Sequence, residues 1–108
     1  MNKIKVNALS VNKCWQGRRY RTREYDLYER LVLYSLPKKL AIPKGHIRLV
    51  LEFGMSNKAS DIDNPLKPLL DILQKKYNFN DKQIYELSVE KKDVKKGKEY
   101  IAFEITEV

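Results

Sequence analysis

Asp61-Ile62-Asp63 sets two carboxylates on either side of one apolar residue, within the stretch Ala59-Ser60-Asp61-Ile62-Asp63-Asn64-Pro65-Leu66-Lys67-Pro68-Leu69-Leu70-Asp71. In an extended segment residues two apart project to the same side, so both charges point one way and repel unless a cation stands between them. Hard divalent cations such as Mg²⁺ take oxygen ligands of this kind, one or two carboxylates at a time, and keep positions for water and a phosphate. Lys67 lies four residues after Asp63 and, on a helix, shares a face with Asp71. A metal-holding pair with an ammonium at the mouth of a helix is a set suited to a phosphodiester. Spacing alone also fits plainer roles: Asp63 or Asn64 as an N-cap, Asp71 as a surface acid paired with Lys67 or Lys75, and Asp81 as a turn residue.

Other chemistries fit less well. An EF-hand calcium loop would need an oxygen ligand at position 65, which is Pro, and Gly at position 66, which is Leu. Nucleotide-sugar transferases with an Asp-x-Asp pair need larger domains than 108 residues. A nucleophilic triad is excluded because the only histidine, His46, falls in a strand away from the acids, and Cys14 lies in a basic loop without a base. His46 reads as a structural or surface residue.

The elements that must position these groups follow from periodicity. Ile4, Val6 and Ala8 alternate over Lys3 to Leu9 as a half-buried strand, followed by a polar loop from Ser10 to Thr22. Tyr28, Leu31, Val32 and Ser35/Leu36 share one helical face, with Thr22 as N-cap and Pro37 as terminator. Ile47, Leu49, Leu51 and Phe53 alternate in the clearest strand, and Gly54 to Ser60 is a polar loop. A second helix presents Leu66, Leu69, Leu70, Leu73 and Tyr77; Pro65 suits its first turn, and Pro68 predicts a tight or irregular start. Tyr85, Leu87 and Val89, then Ile101, Phe103 and Ile105, alternate as two more strands around a Lys-rich turn.

The order β-α-β-α-β-β predicts an α+β fold, a four-stranded mixed sheet with two helices packed on it and the last two strands forming a hairpin. Strand order is not readable. The second helix spans about 18 Å at 1.5 Å per residue, so a residue at the Asn78 to Asn80 turn normally lies at its far end. Asp81 therefore meets Asp61 and Asp63 only if the loop folds back along the helix or the next strand runs back past them, and spacing leaves this open.

Charge narrows the partner. The 108 residues carry 22 Lys+Arg against 14 Asp+Glu, a formal net charge of +8. Residues 1–23 hold Lys3, Lys5, Lys13, Arg18, Arg19, Arg21 and Arg23 and no acid, so nearly the whole excess sits in that segment, with Trp15 and Tyr20 among the arginines as stacking surfaces. A polyanion partner follows, contacted by Lys13, Arg18, Arg19, Arg21 and Arg23. The cluster Lys91, Lys92, Lys95, Lys96 and Lys98 flanks a turn signal at Asp93 to Gly97 and has acids nearby, the pattern of a solvated turn. One domain over residues 1–108 can bury roughly two thirds of its unfolded surface without staples. A single cysteine excludes a disulfide scaffold, and the absence of an apolar run of signal or membrane length implies a soluble, intracellular protein.

The block Asp61-Ile-Asp63-Asn64-x-x-Lys67-x-x-x-Asp71, followed by Asn80-Asp81-x-Gln83-Ile84, resembles the signature of the RusA family of Holliday junction resolvases. The resemblance runs over nearly the whole chain and includes Ser10-Val11-Asn12 before the basic and aromatic residues. It implies a Mg²⁺-dependent endodeoxyribonuclease, with Mn²⁺ as substitute, that acts as a homodimer in DNA recombination and repair. Such an enzyme makes paired symmetric nicks in a four-way junction, in the cytoplasm of a bacterial or phage-infected cell. It implies no membrane and no nucleotide cofactor. Asp61, Asp63 and Asp81 would be the metal-binding catalytic carboxylates, Lys67 the catalytic or phosphate-contacting side chain, and Asp71 a supporting residue. Asn80 stands where an acid is frequent in that family, Pro65 and Pro68 interrupt the helix start, and a Pro-Pro before the Ser-x-Asn element is missing. Phe79 or Trp15 is a candidate wedge for the junction centre, with a core or rim aromatic as the plainer reading of each. The alternatives are a non-catalytic structure-selective DNA-binding protein of the same fold, and a basic interaction protein whose acids only cap and pair.

Overall fold

In the computed structural model, which describes residues 1–17 and 20–108, the alternating apolar runs become strands of one sheet. The elements are β1 (Asn2–Ile4), β2 (Trp15–Gln16), β3 (Tyr20–Arg21), α1 (Arg23–Ser35), β4 (Ile47–Met55), α2 (Leu66–Tyr77), β5 (Ile84–Asp93) and β6 (Tyr100–Glu107), with 3-10 turns at Val11–Lys13 and Asp81–Gln83. The main sheet has the order β1-β6-β4-β5, and β2 pairs with β3 in a small ribbon. An α+β fold with a mixed sheet and two helices is thus what the chain adopts.

The connectivity corrects one expectation. The last two strands are not a hairpin: β5 pairs parallel with β4, while β6 pairs antiparallel with the opposite edge of β4. The reason is the α2 crossover, which returns the chain to the start of β4, so that Ile84 pairs with Ile47 and β5 runs alongside in the same direction. Residues 94–99 then cross the end of β4 to reach β6, with the Val94 amide donating to the Met55 carbonyl at 3.0 Å.

Ile47, Leu49, Leu51 and Phe53 project to one face of β4 and are fully buried, joined by Ile4, Ile101 and Phe103 from the neighbouring strands. The helices cover this face. From α1 come Tyr25, Tyr28 and Val32, and from α2 Pro68, Leu69, Ile72 and Leu73. The buried stripe of α1 starts at Tyr25, so Leu31, expected on it, is 50% exposed. The first strand is shorter than its alternation suggests: β1 stops at Ile4, where the Val6 amide folds back to the Ile4 carbonyl at 3.1 Å, yet Val6 still enters the core. On β5, Tyr85 and Leu87 remain exposed because this is an edge strand whose register shifts beside Ile47; Tyr85 stacks on His46 instead.

Thr22 caps α1 as expected, its hydroxyl accepting from the Tyr25 amide at 3.1 Å. Pro68 disturbs α2 little. Pro65 occupies the N-cap position, so Pro68 falls within the first turn, whose amides have no intrahelical acceptor in any case. No helix among the described residues is long and apolar enough to cross a membrane.

Candidate active site

Strand register places the ends of several elements together. Met55 ends β4 opposite Asp93 of β5, Tyr100 opens β6 opposite Gly54, and β1 ends with Ile4 opposite Ile101. Loop 56–65, the 94–99 crossing and the start of α2 therefore share one end of the sheet.

Loop 56–65 is held from three sides. Ser56 donates its hydroxyl to Glu99 at 2.6 Å, the Lys91 ammonium donates to the Ser60 carbonyl at 2.7 Å, and the Val11 amide donates to the Asn64 carbonyl at 2.8 Å. The hydrogen bond from Ser56 holds the Glu99 carboxyl below its ordinary range. The segment is not extended, as the Asp-x-Asp spacing alone suggested. It is a turn, with the Asn64 amide donating to the Asp61 carbonyl at 3.3 Å and the Leu66 amide to the Asp63 carbonyl at 3.2 Å. The turn is needed to lead the end of β4 into a helix that runs back along the sheet.

Asp61 and Asp63 are exposed on this turn, and among the described residues neither carboxylate has a hydrogen bond or an ion pair. The capping role is not theirs: the N-cap position of α2 is Pro65, and no side chain caps it. Two neighbouring carboxylates without partners, on a loop braced by Ser56, Lys91 and Val11, are a donor set for a hard divalent cation. The chemistry fits such an ion through one or two carboxylates.

Lys67 follows on the first turn of α2 and pairs with Asp71 at 2.9 Å. The hydrogen bond to Asp71 raises the ammonium pKa above its ordinary value, and the Asp81 charge adds a smaller push in the same direction. Lys67 is therefore a cation at neutral pH, suited to offset phosphoryl charge rather than to accept a proton.

Asp81 lies beside the last turn of α2, at the end of the sheet where Ile84 pairs with Ile47, while the loop that carries Asp61 and Asp63 leaves the other end of β4 at Met55. Asn78 takes a left-handed conformation (φ 55°), the helix ends, and the Asp81 amide donates to the Gln74 side chain at 2.9 Å. Lys67, Asp71 and Gln74 follow helical spacing, so Asp81 joins a row along α2 that begins at Lys67. Among the described residues no three Asp, Glu, His or Cys side chains gather to hold a metal, so within one chain Asp81 does not complete a three-acid group with Asp61 and Asp63.

Gln83, part of the downstream motif, is a brace. Its amide oxygen accepts from the Asn80 amide at 3.1 Å, completing a capping box, and its amide nitrogen donates to the carbonyls of Lys44 and Gly45 at 3.2 and 3.1 Å. The Asn-x-x-Gln spacing carries that signal in the sequence. Lys91 and Glu99 carry none, since their partners Ser60 and Ser56 are distant along the chain.

A family model, endodeoxyribonuclease RusA, matches residues 7–105. The chain belongs to the RusA family. No curated protein matched the chain. For a RusA endodeoxyribonuclease the basic segment is the natural place to look for backbone contacts. Lys13 and Arg23 are exposed, and Lys13 lies in the turn whose Val11 amide is tied to Asn64. Arg21 is engaged within the fold, meeting Asp26 at 3.1 Å and Glu29 at 3.2 Å and lying over the Tyr25 ring at 4.0 Å. Arg18 and Arg19 lie outside the described residues.

Burial sorts the remaining candidates, Cys14, Phe79 and Trp15. Cys14 lies in the loop, as expected, but its thiol is fully buried in the core, and burial pushes its pKa up. Phe79 is 8% exposed and belongs to the core, which removes it as a junction wedge. Trp15 is 46% exposed with its ring edge-on to Tyr25 at 5.9 Å.

Proposed function

We propose that this RusA-family protein is a divalent-metal-dependent endonuclease that resolves four-way DNA junctions by paired symmetric nicks, in recombination or repair. The observation that carries the reading is the pair Asp61 and Asp63, exposed and without partners among the described residues on a braced turn, inside a chain that the RusA family model matches over residues 7–105. Mg²⁺, or Mn²⁺ in its place, would be held by these two carboxylates. Such an ion, when bound, supplies positive charge to the scissile phosphate and acidifies a water for attack.

The residues of the chain supply the rest. Lys67, kept protonated by Asp71, offers charge and hydrogen bonds to the phosphoryl or leaving 3′ oxygen. Asp71 is the supporting residue that fixes the ammonium at the head of α2. Asp81, carried over from the family motif as the third acid, lies along the same helix and lowers the potential around Lys67. Lys13, Arg18, Arg19 and Arg23 contact backbone phosphates without reading bases, while Arg21 anchors their segment to α1. A homodimer matches the two-fold symmetry of the substrate, one site for each of two opposing strands.

Labelled four-way junction and linear duplex of the same arm sequence, each incubated with Mg²⁺ and with EDTA, test the reading. Paired nicks in the junction alone, and only with metal, are expected. Junction-selective binding without nicks in any metal would leave the non-catalytic DNA-binding alternative standing instead.

A further inference from the structure

Lysines that the sequence assigns to a solvated hairpin tip lie elsewhere in the fold. Because residues 94–99 cross the end of β4, Lys95, Lys96 and Lys98 arrive at the end of the sheet that carries Asp61 and Asp63. Lys3 and Lys5, on and just after β1, reach the same end, since Ile4 pairs with Ile101 beside Tyr100. Lys3, Lys5, Gly97, Lys98 and Tyr100 line a cavity of about 430 Å³ between these elements.

Lysines outnumber acids in the lining: Lys3, Lys5 and Lys98 stand against Glu99 alone. Among the described residues, Lys3, Lys5, Lys95, Lys96 and Lys98 have no carboxylate partner. The one acid lining the cavity, Glu99, is already engaged by the Ser56 hydroxyl at 2.6 Å and the Gly97 amide at 2.8 Å. Tyr100 donates its hydroxyl to Glu52 at 2.7 Å and carries the Lys3 ammonium over its ring at 4.1 Å, which holds that cation at the cavity wall.

We propose that this cavity is a second phosphodiester-backbone site, formed by Lys3, Lys5 and Lys98, that seats the DNA strand flanking the cleaved phosphate. The proposal rests on the nuclease reading above and adds a binding surface to it. The cavity wall is joined to the loop that carries Asp61 and Asp63 by the hydrogen bond from Ser56, at the start of that loop, to Glu99. Three ammonium groups drawn from two elements separated by some ninety residues of sequence form a phosphate surface only because of the crossing.

Binding of a fluorescent four-way junction in EDTA, followed over a salt titration, tests this without any need for cleavage. Lys5→Gln with Lys98→Gln should reduce the slope of log K against log salt by about two units, at about 0.9 for each phosphate that is no longer neutralised. The comparison is Lys38→Gln with Lys39→Gln, which removes the same charge next to Pro37, where the Tyr77 hydroxyl ties the chain to the far end of α2; its slope should match the parent. Lys5→Arg with Lys98→Arg should retain the parent slope. An unchanged slope for the cavity pair, or an equal drop in both pairs, overturns the site while parental junction binding leaves the nuclease reading intact. A parent that binds no DNA overturns both.

Discussion

Gly54 is the position where the sheet end is packed most tightly, and replacing it with Ala has a calculable cost. A Cβ there would overlap Cε1 and Cδ1 of Tyr100 and lie 2.9 Å from its Cζ, far inside van der Waals contact. The strand cannot yield, because Gly54 is paired with Lys92 on one side and Tyr100 on the other. The ring must therefore leave. It then gives up its 2.7 Å hydrogen bond to Glu52 and its place under the Lys3 ammonium.

A half-exposed hydrogen bond to a carboxylate is worth about 1 kcal/mol and an exposed cation–π interaction about 0.5–1 kcal/mol. Residual crowding adds about 1 kcal/mol. Against this, Ala in a strand interior gains about 0.5–1 kcal/mol over Gly. The net loss is about 1.5–2.5 kcal/mol, or about 7–11 °C in Tm for a domain of this length. Urea unfolding of Gly54→Ala, Tyr100→Ala and the double variant measures it. With Tyr100 removed, Gly54→Ala should be neutral or stabilising, a coupling of about 1.5–2.5 kcal/mol. A Gly54→Ala variant as stable as its parent, or equally destabilised in both backgrounds, would refute the reasoning.

Thr22→Ala removes both the cap on the Tyr25 amide and the hydroxyl bond to the Lys13 carbonyl, and should cost about 1–2 kcal/mol in chemical denaturation. Acid stability should depend on Glu29. Burial pushes its carboxyl up, but hydrogen bonds from Lys75 and Arg21 outweigh that and leave its pKa below the ordinary 4.5. The charged form is thus favoured by folding, a stabilisation present above pH 4.5 and lost as pH falls through the lowered value. Glu29→Gln should lower stability at pH 7 and make it less sensitive to acid below that point, as read by thermal melts from pH 7 to 3. An undiminished acid sensitivity would mean that the Arg21 and Lys75 pairings do not form.

What was legible in the sequence follows the range of the forces involved. The alternation of Ile47 to Phe53, the stripe of α2 and the Thr22 cap are local, and each appears where its residues indicate. The hairpin failed because periodicity reports which face of a strand is buried and not which neighbour it pairs with. The crossover helix, not sequence adjacency, sets the partner of β5. The same limit hid the lysines of the crossing at the acidic end of the sheet, and Lys91 under the loop that carries Asp61. Asp61, Asp63 and Lys67 stood out by their spacing, which capping and pairing also fit; the pairing of Lys67 with Asp71 was legible from it, and the capping role falls away only because Pro65 takes the N-cap position of α2. The turn at Asp61–Pro65 was not legible, since Asp-x-Asp fits an extended strand equally well; its shape comes from Val11, whose amide fixes Asn64 from fifty residues away.

Asp61 and Asp63, without partners among the described residues, carry the proposed chemistry. Its most direct test is the cleavage rate of a four-way junction in Mg²⁺ by the parent and by Asp63→Asn, with junction affinity measured alongside in EDTA. Because the Asp63 side chain supports no other described group, the substitution should leave affinity and stability near the parent values. Cleavage should fall by at least about 100-fold, the scale of removing one element of transition-state charge stabilisation. An Asp63→Asn protein that nicks the junction at the parental rate would contradict the assignment of the site.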